Sequence, residues 1–184
     1  MTQTASDAVP PIPSRRGVRR RIWRAVKILA VLYVVACTIM FFLQTTIIYP
    51  GSWTQGQTET VLPASIRQDV IRLRGRDGVS IVGLFGGAQS EDGQAMEDTS
   101  HCPTIIYFYG NGSCLADSTQ QFEDFRRLGA NVIMADYEGY GMSGGKASET
   151  GCYDTADAEY DYLRGRGDID MSRIVPIGWS LGGA

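Results

Sequence analysis

The chain has 184 residues, enough for one membrane anchor and one modest domain. A composition 43% hydrophobic and 20% charged excludes disorder throughout. The net charge of −3 hides a split, +6 over residues 1–49 and −9 over the rest. The folded part therefore offers no basic face for a phosphate backbone, which excludes a nucleic-acid partner.

Residues 1–27 form a basic tail with Arg15, Arg16, Arg19, Arg20, Arg21, Arg24 and Lys27, and its "PPIPS" reads as flexible. From Ile28 to Ile48 no residue is charged. At about 1.5 Å per residue this run spans roughly 31 Å, the thickness of a bilayer's hydrocarbon core. Trp23 and Tyr49 stand near its ends, where interfacial aromatics are expected. The first basic residue beyond the run is Arg67. The positive-inside rule then keeps the N-terminus cytoplasmic and places Tyr49 onward outside, in a single-pass protein whose partner is the lipid bilayer. A cleaved signal peptide lacks a small-x-small site after the run. "VVAC", Val34 to Cys37, resembles a bacterial lipoprotein box, but the sequence stays apolar past Cys37.

Residues 49–66 read as a linker leading into a domain over 67–184. "QDVIRLR" (68–74) and "VSIVGLF" (79–85) alternate as strands around the turn "GRDG". Residues 86–103 are polar and read as a surface excursion. "TIIYFY" (104–109) is a β-type run buried on both faces, followed by the turn "GNG". Ser118 and Gln121 have capping-box spacing, with Phe122, Phe125 and Leu128 on one helical face and a stop at Gly129. "NVIMAD" (131–136) is a second buried strand. After the glycine-rich loop "YEGYGMSGG", Thr150 caps a helix with inner face Tyr153, Ala156, Tyr160 and Leu163. "RIVPIGW" (173–179) is a third strand, in which Pro176 removes one ladder donor. The order hairpin, then β-α-β-α-β, predicts an α/β fold: a mostly parallel sheet with flanking helices.

Cys102, Cys114 and Cys152 match no zinc spacing, and there is one histidine; no metal and no organic cofactor is expected. Cys102 and Cys114 bracket a strand of about six residues, roughly 20 Å, too far for a disulfide. Small buried thiols are the expectation.

G-x-S-x-G occurs twice, as "GMSGG" (141–145) and "GWSLG" (178–182), so the pattern alone chooses nothing. A nucleophilic serine needs a sharp turn from strand directly into helix, small flanking residues, and helix N–H groups aimed at developing negative charge. Ser180 has a strand immediately before it, Gly178 and Gly182 at the flanking positions, and a helix-compatible "LGGA" after it. Ser143 stands in a loop and reads as a turn residue. An oxyanion hole needs two converging donors. The N–H of Leu181 supplies one and that of Asn111, in the turn after the first buried strand, supplies the other.

The segments "TIIYFYGNG", "NVIMADYEGYGMSGG", "RIVPIGWSLGGA" and the joining "LQTTIIYPG" resemble the α/β-hydrolase superfamily. The likeness is greatest to membrane-anchored serine hydrolases related to monoglyceride lipases and prolyl-aminopeptidase-type enzymes. The resemblance implies a nucleophile at Ser180, oxyanion N–H groups at Asn111 and Leu181, and a structural loop from Asp136 to Gly145. Two positions depart from it: Tyr109-Gly110 where His-Gly is usual, and Glu138 where Arg is usual. In that fold the triad acid and histidine follow the serine. His101 precedes it, at the edge of the sheet away from the elbow.

The 184 residues therefore read as the front half of an enzyme. The whole protein would transfer the acyl group of a small-molecule, lipid or peptide ester, thioester or amide to water through Ser180. The alternative is a non-catalytic membrane-anchored module. Oligomeric state is not encoded in these motifs.

Overall fold

The structure, a computed structural model, describes residues 15–184; the "PPIPS" segment lies outside them. Helix α1 (Arg15–Ile48) is 34 residues long. It begins well before the apolar run, because Arg, Lys, Ala and Leu all favour helix. Among the described residues it is the one helix long and apolar enough to cross a membrane. None of Arg16–Ile48 is buried among the described residues. The chain divides into two compact units, one ending at Gln44 and a body over Thr45–Ala184.

The body opens with three short 3₁₀ turns, Pro50–Thr54, Glu59–Val61 and Ala64–Asp69. They bury Leu62 and Ile66 against Leu84, Leu115, Phe122, Val132 and Met134. The strands follow as β1 (Val70–Arg74), β2 (Ser80–Gly86), β3 (Thr104–Phe108), β4 (Asn131–Ala135) and β5 (Ile174–Gly178). Their spatial order is β1-β2-β4-β3-β5. β1 and β2 form the expected antiparallel hairpin, and β2 also pairs antiparallel with β4. β3 runs parallel to β4 on one side and to β5 on the other, with Phe108 opposite Gly178. The expected α/β architecture is present, with a mixed sheet.

Side-chain alternation along β4 serves both faces. Val132 and Met134 point into the cluster under α2 (Thr119–Arg127), while Ile133 joins Ile106 and Leu163 under α3 (Glu149–Arg164). All five residues of β4 are buried.

Three local expectations are corrected. α3 is capped by Ser148, not Thr150: Ser148 Oγ accepts from Gly151 N–H at 3.0 Å. Its buried face is Gly151, Asp154, Thr155, Glu159 and Leu163, while Tyr153 and Tyr160 are exposed. Ser118 stands at the N-cap of α2, but its hydroxyl donates to Cys114 O at 3.4 Å, and Leu128 is 79% exposed past the helix end. Pro176 lies on β5 opposite Ile106 of β3.

Candidate active site

β3 and β5 end side by side at the C-terminal edge of the sheet. Trp179 N–H donates to Phe108 O at 3.0 Å, carrying the pairing one residue beyond β5. The chain then turns sharply into a short 3₁₀ turn, Ser180–Gly183. Ser180 has φ 53, the one positive φ of any non-glycine residue among those described. Such a backbone costs on the order of 1–3 kcal/mol for a residue with a Cβ. The flanking glycines explain how the turn closes. A Cβ on Gly178 would lie 2.0 Å from Gly182 O, and one on Gly182 would lie 2.2 Å from Phe108 O. Side chains at both positions are sterically excluded.

Ser180 is exposed. The first hydrogen bond of the turn after it runs from Gly182 N–H to Trp179 O at 3.0 Å. The N–H groups of Ser180 and Leu181 stand ahead of it, at the open N-terminal end. Gly110 packs directly on Trp179. The Tyr109–Gly112 turn and the Ser180 turn are thereby brought together, and the N–H of Asn111 has no hydrogen-bond partner among the described residues. The side chain of Asn111 faces elsewhere: its Nδ2 donates to Ile48 O, and its Oδ1 accepts from Tyr140 OH at 3.4 Å. Two hollows flank the turn. One, of about 220 Å³, is lined by Phe108, Tyr137, Cys152, Ala156 and Leu181 among others. The other, of about 450 Å³, is lined by Tyr107, Phe125, Ile177 and Trp179 among others.

Ser143, the serine of the other G-x-S-x-G match, is 3% exposed. Its hydroxyl donates to Asp136 O at 2.7 Å and accepts from Val82 N–H at 3.0 Å. It latches the glycine-rich loop to β2. His101 is exposed, three residues before β3 starts, and its carbonyl accepts from Arg173 Nη1. Because β3 and β5 are parallel, His101 lies at the opposite edge of the sheet from Ser180. Among the described residues, no three His, Cys, Asp or Glu side chains group as metal ligands.

A buried network escaped the sequence reading. Asp136, fully buried, accepts from Leu115 N–H at 2.7 Å, Met142 N–H at 2.8 Å and Tyr109 OH at 3.0 Å. Tyr137 returns the contact, its OH donating to Tyr109 O at 2.9 Å. Burial pushes the Asp136 carboxyl up, opposed chiefly by the Met142 and Leu115 N–H groups. Burial also raises the Tyr109 and Tyr137 phenols, which keeps both as donors. Tyr109 therefore turns inward and fastens the base of its turn. At the second departure, Glu138 N–H donates to Thr155 Oγ1 at 3.1 Å and ties the loop to α3. The one sequence signal for the network was an acid ending a buried strand before a glycine-rich loop.

Comparison with known proteins bears on this geometry. No protein-family model matches the chain. An Arabidopsis thaliana protein called alpha/beta hydrolase domain-containing protein WAV2 is 45% identical over 83 residues, 45% of this chain and 27% of that one. Protein bem46 of Schizosaccharomyces pombe is 30% identical over 154 residues, 82% of this chain and 49% of its own. The crystal structure of an alpha-beta hydrolase from Vibrio vulnificus superposes with a TM-score of 0.57 at 18% identity, over 77% of this chain and 48% of the other. The chain belongs to the α/β-hydrolase superfamily. As in that superfamily, a strand leads straight into a serine turn closed by glycines, here at Ser180. This α/β-hydrolase chain spans about half the length of the curated relatives it matches over most of its residues.

Proposed function

We propose that the whole protein is a membrane-anchored serine hydrolase with Ser180 as nucleophile. The observation that carries the reading is the strained backbone of Ser180, set where a strand meets a turn, with Gly110 packed on the preceding Trp179. Strain of this kind is retained where it exposes a reactive group. Ser180 Oγ attacks the carbonyl of an ester, thioester or amide, and a general base takes its proton. The N–H groups of Asn111 and Leu181 hold the oxyanion. The leaving group departs with the proton, and water cleaves the acyl-serine. In this reading the histidine and acid lie in sequence following Ala184, as the greater length of the relatives allows. The helix α1 is the anchor, with the basic tail cytoplasmic and the body outside.

A non-catalytic membrane-anchored module is the second reading, favoured by the placement of His101 at the wrong edge. One experiment separates the two. The protein extracted from membranes is treated with a fluorophosphonate probe and the modified peptide is sequenced. Label on Ser180, abolished by Ser180→Ala, is expected. No label, or label retained in the variant, overturns the assignment.

A further inference from the structure

At Tyr109 this chain departs from the superfamily's usual histidine, and the phenol found there is held at more than one point. Tyr109 is 1% exposed. Its hydroxyl donates to Asp136 Oδ1 at 3.0 Å and accepts from Tyr137 N–H at 3.2 Å. Its carbonyl accepts from Tyr137 OH at 2.9 Å. Side chain and backbone of one residue are thus fixed separately. The ring packs on Tyr137, with centroids 4.8 Å apart, and on Tyr140 at 6.5 Å. Burial raises the phenol well above its ordinary value, so the hydroxyl keeps its proton and remains a donor.

The same carboxylate oxygen closes the far end of the turn. Asp136 Oδ1 also accepts from Leu115 N–H at 2.7 Å, so the segment 109–115 leaves from and returns to one atom. Asp136 Oδ2 accepts from Met142 N–H at 2.8 Å. The glycine-rich loop wraps this carboxylate closely: a Cβ on Gly141 would lie 2.2 Å from Oδ2. Between the two tied ends stand Gly110 and Asn111. A Cβ on Gly110 would lie 2.7 Å from Trp179 Cδ1, so this turn sits hard against the residue before Ser180. One residue on, the N–H of Asn111 has no hydrogen-bond partner among the described residues.

We propose that Tyr109 is a positioning residue: held through its hydroxyl and its carbonyl, it fixes the turn so that the N–H of Asn111 is aimed at the oxyanion before a substrate arrives. This rests on the proposed reading of Ser180 as nucleophile and Asn111 as oxyanion donor. Tyr109 itself touches no reacting atom. A donor aimed in advance needs no reorganisation in the transition state, and deleting a whole donor of this kind slows catalysis about 10²–10³-fold. Misplacing a group by about 1 Å can cost about 10²-fold. Phenylalanine at 109 keeps the ring, deprives Tyr137 N–H of its acceptor and leaves Asp136 Oδ1 to Leu115 alone.

The test uses the full-length protein extracted from membranes and a fluorophosphonate, whose phosphoryl oxygen gains charge as Ser180 attacks. The maximal labelling rate, the half-saturating probe concentration and the final extent of labelling are measured for wild type, Tyr109→Phe and Tyr162→Phe. The last is a control that deletes a phenol hydroxyl on α3, one that accepts from Arg166 Nη1 at 3.0 Å. Tyr109→Phe should label Ser180 to completion, with a maximal rate at least about tenfold lower and half-saturation within about twofold of wild type. Tyr162→Phe should match wild type. A merely structural role lowers the final extent of labelling and leaves the rate of the folded fraction unchanged. Complete labelling of Tyr109→Phe at a rate within about twofold of wild type overturns the positioning role and leaves the nucleophile standing. Equal slowing in Tyr162→Phe overturns it too. If Tyr109→Phe does not fold, Tyr137→Phe, which frees the Tyr109 carbonyl, is held to the same rate and saturation criteria. Wild-type protein that takes no label on Ser180 overturns the nucleophile and the positioning role together.

Discussion

At Ser180 a single residue holds a backbone that its neighbours make compulsory. With Gly182 pressed on Phe108 O, a methyl group there forces the β3 and β5 ends apart. Gly182→Ala should destabilise the body by about 1–3 kcal/mol, the range for overpacking, and urea unfolding checks it. Asp136 gives a second test. Asparagine would turn an NH₂ group toward one of three donors, so Asp136→Asn should cost about 1–3 kcal/mol in the same assay. The thiols give a third. Burial pushes Cys114 and Cys152 up to about 11. At pH 8, iodoacetamide should alkylate both at least about tenfold more slowly in the folded protein than in urea, as read by peptide mass spectrometry. The site was unevenly legible at this scale. Ser180, Gly178 and Gly182 follow from local context, since strand, serine and glycines are adjacent in the chain. The Tyr109–Asp136 bond joins residues 27 apart. No local pattern encodes it, and a tyrosine in a strand reads as core whichever way its hydroxyl points.

The elements show why periodicity misleads on α3. Tyr153, Ala156 and Tyr160 form a proper helical stripe, yet the helix turns its other face inward. Gly151 and Thr155 allow close approach to the Glu138 loop, and two bulky tyrosines do not fit there. The cost of that choice is Glu159, fully buried with neither carboxylate oxygen hydrogen-bonded. Burial raises its carboxyl well above the ordinary value of 4.5. Above that pH the unfolded chain releases a proton that the folded state still holds. The stability contribution is therefore full below about pH 4.5 and is lost as pH rises toward the folded value. Glu159→Gln keeps the shape and removes the titration. Its urea midpoint should exceed that of the wild type above this window and vary less with pH; a parallel pH profile would refute this. The cap at Ser148 instead of Thr150 is a shift of two residues, within the ordinary fraying of helix boundaries.

Across the whole body, protection should follow burial and pairing. β4 is buried throughout and paired on both sides, while residues 90–100 are largely exposed and outside the sheet. Hydrogen exchange should find the amides of β4 slowest and those of the exposed segment 90–100 among the fastest. The element order was legible because hydrophobic runs alternate with helical stripes. The insertion of β4 between β2 and β3 was not, since pairing between distant strands leaves no trace in local periodicity. That insertion also sets a timetable for synthesis. Gly86 at the end of β2 pairs with Val132, which the ribosome adds 46 residues later. At about 5–20 residues per second, the open edge of the first hairpin waits roughly 2–9 seconds for its partner. Through that interval a newly made chain carries an unsatisfied strand while its apolar helix is already complete, and whatever shields that edge during the delay governs how much protein reaches the folded state.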